Sequence, residues 1–106
     1  MANYGLVLVT APSEAEAGAI AEALIQSKLA ACVTLLPVKS IYTWQDQIHR
    51  EQEWQLLIKS DLDLFELLAE KVKTLHSFEV PEILAIPIVA GSEHYLSWIS
   101  SQLIAS

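Results

Sequence analysis

The side chains with chemical potential in this sequence are scattered rather than gathered. His76 ends a helical pattern and opens the loop His76-Ser77-Phe78-Glu79-Val80-Pro81-Glu82, where an imidazole either bonds a terminal carbonyl or serves a cleft. Glu79 and Glu82 either offer carboxylates to a cation or an ammonium group, or are solvated while Pro81 fixes the turn. Lys59 either neutralises an anionic ligand in a cleft or pairs with Glu51 or Glu53, and an exposed pair contributes only about 0 to 1 kcal/mol. Cys32, among small apolar neighbours, suits a compact core side chain better than a thiolate ligand. Trp44 and Trp98, with Tyr42 and Tyr95, suit the wall of a pocket between subunits, while Trp54 belongs in the core or on a subunit seam. His49 and His94 have no partner pattern and read as surface residues. No nucleophile stands with an evident base, so the chemistry expected is binding rather than turnover.

These residues must be held by a short set of elements. The central stretch, Leu29 to Ser60, reads as one long antiparallel hairpin around the polar turn Gln45-Asp46-Gln47. On its second arm Gln52, Trp54, Leu56 and Ile58 point one way and Glu51, Glu53, Gln55, Leu57 and Lys59 the other. Pro37 lacks a ladder donor, so the first arm is expected to bulge, bend or run along an edge there, with a change of direction or partner. Both arms exceed the usual ~5 to 6 residues of a strand. A ribbon that overshoots its domain exposes apolar side chains and unpaired backbone, which invites another subunit.

Before the hairpin, Tyr4 to Thr10 reads as a central strand buried on both faces. Ser13 and Glu16 form a capping box for a helix with an apolar stripe at Ala15, Ala19, Ile20, Ala23 and Leu24, ending near Lys28. After the hairpin, Ser60 or Asp61 caps a helix bearing Leu62, Phe65, Leu68, Val72 and Leu75. Ile83 to Val89 is expected as a strand, and Ser92 as the cap of a last helix carrying Tyr95, Leu96, Trp98, Ile99 and Leu103. The order β, α, β, β, α, β with a terminal helix predicts an α+β fold, a ferredoxin-like βαββαβ sandwich with a long β-hairpin, as a single domain over residues 1–106.

Composition narrows the partners. Thirteen acidic against six basic side chains give a net charge of −7, which argues against nucleic acid, whose binding needs clustered Lys and Arg. No apolar run approaches the ~18 residues of a membrane span and no leader pattern opens the chain, so no membrane partner is expected. The single Cys32 cannot form an internal bridge, which favours a reducing, cytoplasmic setting. Apolar residues make up 53% and charged residues 18%, a surplus that suggests burial between copies.

The phrases LAACVTLLPVKSIYTWQDQI, EWQLLIKS, EVPEILAIPI and YLSWI, with Thr10-Ala11-Pro12 before them, resemble the CutA family of divalent-cation tolerance proteins over nearly the whole chain. The resemblance implies a homotrimer of ferredoxin-like subunits in which the hairpin wraps onto neighbours. It also implies a likeness in architecture to the PII signal-transduction trimers, which bind small effectors between subunits. A non-enzymatic protein binding a small molecule or a divalent cation in intersubunit clefts follows, with Cu²⁺ the ion associated with the family and a role in metal tolerance or response. The alternative is a structural or protein-interaction trimer without a metal role. On this resemblance the cleft residues are Tyr42, Trp44, Lys59, His76, Glu82, Tyr95 and Trp98, and the metal candidates are His76 and Cys32. Val9 stands where copper-binding members are proposed to carry a cysteine, and Leu75 precedes His76 where a histidine pair would stand.

Overall fold

The computed structural model describes residues 2–104. Among them, four strands and three α-helices follow one another: β1 (Tyr4–Ala11), α1 (Glu14–Gln26), β2 (Cys32–Trp44), β3 (Gln47–Asp61), a 3₁₀ turn (Leu62–Leu64), α2 (Phe65–Leu75), β4 (Ile83–Pro87) and α3 (Glu93–Ser101). All ladders are antiparallel and the sheet order is β2-β3-β1-β4. This is the ferredoxin-like βαββαβ arrangement with an added C-terminal helix.

The core forms where period-two and period-3.6 apolar patterns meet. Val7, Val9 and Ala11 of β1 and Leu56 and Ile58 of β3 face Ala17, Ile20, Ala21 and Leu24 of α1 and Leu68 and Val72 of α2, all buried. The α1 stripe is therefore rotated from the expected one, because Ala15 and Ala19 are exposed. Methyl side chains are compatible with either face, so Ile20 and Leu24 decide the orientation. The opposite sheet face is less covered: Leu6 and Leu8 are half-buried and Leu84 and Ile86 of β4 are exposed. β1 is thus central but not buried on both faces. Contacts of Tyr95 with Cys32 and of Ser100 with Tyr4 put α3 on that second face.

Local chemistry sets the element ends. Ser13 accepts from the Glu16 amide at 3.1 Å and Asp61 from the Asp63 amide at 2.9 Å. Helix α1 closes through Leu29 N–H to Leu24 O at 3.0 Å and Lys28 N–H to Ile25 O at 3.1 Å, with Lys28 left-handed at φ 57°. That is the double bond pattern of a Schellman terminus with lysine where glycine is usual.

The hairpin has the expected length and parity, with 13 residues in β2 and 15 in β3. Its register runs unbroken from Cys32↔Lys59 through Pro37↔Trp54 to Trp44↔Gln47. Pro37 therefore causes no bulge and no change of partner. β2 is the edge strand of the sheet, where a missing amide costs no interstrand bond on the open side. The β1 ladder stops at Ala11↔Trp54, so the ribbon from Val38 to Glu53 continues with no third strand, and the molecule measures 44 × 26 × 20 Å.

Candidate functional site

Where the ribbon leaves the sheet, it and the loop before β4 enclose a groove of about 840 Å³. The ribbon contributes Ser40, Ile41, Tyr42, Trp44 and Glu53, β1 contributes Thr10, and Ser77 to Glu82 form the opposite wall. Three aromatic rings and three carboxylates, those of Glu53, Glu79 and Glu82, thus border one space.

His76 is the anchor of the loop wall rather than part of its lining. Its imidazole is fully covered. Nδ1 accepts the Phe78 amide at 3.0 Å, which leaves Nε2–H to donate to the Thr10 carbonyl at 2.6 Å. Glu16 steadies the next residue by accepting from both the amide and the hydroxyl of Ser77, each at 3.0 Å, and lies 3.5 Å from His76 Nδ1. The Glu16 carboxylate therefore ties loop to helix instead of completing a capping box. Phe78 packs on the imidazole with ring centroids 5.0 Å apart.

Gln55 continues the chain of polar contacts, donating to the Val9 carbonyl at 2.9 Å and to Glu82 Oε2 at 3.3 Å. Tyr42 stacks on His49, its cross-strand partner, at 5.4 Å and 10° between planes. His49, also 3.7 Å from Glu51, is thus a support for the groove wall rather than an unattached surface residue. Burial, then the neighbouring Glu53 and Glu51 carboxylates, push the Tyr42 phenol above its ordinary 10.0.

The residues expected at one site fall into two sets. Tyr42, Trp44 and Glu82 line the groove, with His76 behind it. Lys59, Tyr95 and Trp98 lie elsewhere, around Cys32. Lys59 Nζ donates to Thr34 Oγ1 at 2.5 Å and approaches Cys32 Sγ at 3.9 Å, and Tyr95 and Trp98 pack together at 5.5 Å. Burial and then Cys32 raise the Tyr95 phenol above its ordinary 10.0. Ser40 stands eight positions along β2 from Cys32, roughly 26 Å of strand. Glu53, Phe78 and Thr10 were not expected at a site. Alternation put Glu53 on the charged face with Lys59, and only the pairing register and the loop's position turn that face into a covered one.

The family-associated metal finds no prepared place in one chain. Among the described residues no three His, Cys, Asp or Glu side chains are grouped to hold an ion. Both His76 nitrogens are committed to backbone groups, and Cys32 has an ammonium for its neighbour. No helix among the described residues is long and apolar enough to cross a membrane.

Residues 5–102 match the model of a family described as CutA1 divalent ion tolerance protein. A divalent-cation tolerance protein CutA of Thermus thermophilus is 47% identical over 95 residues, 89% of this chain and 92% of the relative. The crystal structure of CutA1 from Oryza sativa superposes with a TM-score of 0.96 at 35% identity, over 99% of this chain and 97% of that one. A structure described as the periplasmic divalent cation tolerance protein CutA from Archaeoglobus fulgidus gives 0.92 at 37% identity, over 93% and 97%.

Proposed function

The chain belongs to the CutA1 divalent ion tolerance family, and from that premise we propose a non-enzymatic homotrimer that binds a small ligand or divalent cation in clefts between subunits, as part of cation tolerance. The observation that carries this reading is the groove between ribbon and loop, with its aromatic walls and the three carboxylates that border it. Homotrimer formation is supported by a two-stranded ribbon extending past the sheet, with Ile41 and Ile48 exposed on it, and by exposed Leu84 and Ile86 on β4. Association also offers a way to join the two residue sets, since Lys59, Tyr95, Trp98 and Cys32 of one copy can complete the groove of the next.

Binding without turnover fits the commitments already made by the candidate groups. His76 is held by two backbone partners and the Ser77 hydroxyl is spent on Glu16, so neither is free as base or nucleophile. A divalent cation such as Cu²⁺ enters this reading as cargo or effector, and a closed site for it would need side chains from more than one copy. The lone Cys32 supports a reducing, cytoplasmic location. Isothermal titration of the assembled protein with Cu²⁺, Zn²⁺ and small anionic, neutral and cationic molecules is the test. Saturable binding at one site per chain is expected. Silence across the whole panel would sink the reading and leave a structural or interaction role.

A further inference from the structure

One acidic side chain of the groove stands apart from the others. Glu53 is 5% exposed, yet no hydrogen bond or ion pair joins its carboxylate to any of the described residues. Among those residues no side-chain oxygen or nitrogen is both wholly covered and unbonded. The Glu53 oxygens therefore keep some of its small remaining exposure, and Glu53 lines the groove. A nearly buried carboxylate is stabilised when a counter-charge is brought against it. Among the described residues of one chain, no Lys or Arg pairs with it.

From this we infer that the groove takes an organic cation, a primary ammonium or guanidinium carried on an apolar or aromatic body, with the Glu53 carboxylate as its counter-ion. The inference rests on the groove being a ligand site. Tyr42, Trp44 and Phe78 present ring surface on which a cationic head and its hydrocarbon can lie. Glu79 and Glu82 add negative potential at the rim, and the net charge of −7 draws cations and repels anions. A hard metal ion is served less well, because it needs several oxygen ligands converging at one point. Here Glu82 is turned to Gln55, and no group of three ligating side chains exists among the described residues. An ammonium needs one buried carboxylate and a ring face, and both are in place.

Titration calorimetry on the assembled protein with phenethylamine, phenethyl alcohol, phenylacetate and Cu²⁺ tests this, with native mass spectrometry to follow assembly. Phenethylamine is expected to bind and the neutral and anionic analogues to fail. Glu53→Gln, which keeps the shape and removes the charge, is expected to weaken phenethylamine about tenfold or more, and Glu53→Asp to retain part of the affinity. Equal affinity of the wild type and Glu53→Gln for the amine overturns the inference. So does a loss of assembly in Glu53→Gln, which would make the carboxylate an interface counter-ion between copies. Binding of Cu²⁺ or phenylacetate in place of the amine overturns it while leaving the groove as a ligand site. No binding by any of the four removes the groove reading as well.

Discussion

At the scale of the residue, a histidine can be prominent because of what it holds rather than what it binds. His76 closes α2, spans to the Thr10 carbonyl and takes the Phe78 amide, so the loop wall of the groove is referenced to β1 through one ring. His76→Ala leaves a buried carbonyl and a loop amide unpaired and is expected to lower stability by about 1 to 3 kcal/mol in chemical denaturation. An unchanged midpoint would show that the ring is dispensable to the wall. Tyr42 gives a second, independent probe of the groove's electrostatics. Glu53 is one of the groups that raise its phenol above 10.0, so Glu53→Gln should bring Tyr42 ionisation to lower pH, read by phenolate absorbance with Tyr42→Phe as the blank. A shift upward, or none, would put the Glu53 charge away from the ring.

At the scale of the element, three places use backbone geometry that their residues do not favour. Lys28 is left-handed at the end of α1, and Gln45 and Asp46 are both left-handed, at φ 51° and 63°, in the two-residue hairpin turn. Glycine or asparagine is the usual occupant of such positions. Lys28→Gly, and Gln45→Asn together with Asp46→Gly, are each expected to stabilise the fold by about 0.5 to 1 kcal/mol, measured as a raised denaturation midpoint. Gly5 is the converse case. A Cβ there would run into the Leu62 side chain, which packs against the core. Gly5→Ala should therefore destabilise by about 1 to 3 kcal/mol, and a neutral result would mean that Leu62 has room to turn aside.

At the scale of the whole molecule, the sheet has one face sealed by α1 and α2 and another only partly covered by α3. The ribbon beyond Trp54 adds surface without adding core. The homotrimer we propose would cover both. Ile86→Glu places a charge on the uncovered face and should split the assembly in sedimentation experiments while each chain stays folded by circular dichroism. Trp54→Ala acts differently, because Trp54 packs against the helices' core cluster. It should cost folding stability, about 3 kcal/mol or more, before it affects association. If Ile86→Glu sediments like the wild type, that face is not the seam.

The sequence alone determined the element order, the parity of the long hairpin, the Ser13 cap and a cap at Ser60 or Asp61, of which the structure selects Asp61, because strand alternation, helical spacing and capping are local rules written in neighbouring residues. It placed the end of α1 near Lys28 from the charge that suits a helix C-terminus, and it misplaced the α1 stripe because alanine is uninformative about facing. Of the expected site, Tyr42, Trp44 and Glu82 were within reach as aromatic and acidic residues of suitable segments. Tertiary structure alone decided that Lys59, Tyr95 and Trp98 stand with Cys32 at the sheet end of the hairpin, away from its turn, that His76 is spent on backbone, and that Glu53 is sheltered without a partner among the described residues. Those outcomes depend on cross-strand register and on where a distant loop returns, and both are contacts between residues far apart in the chain that no local pattern records.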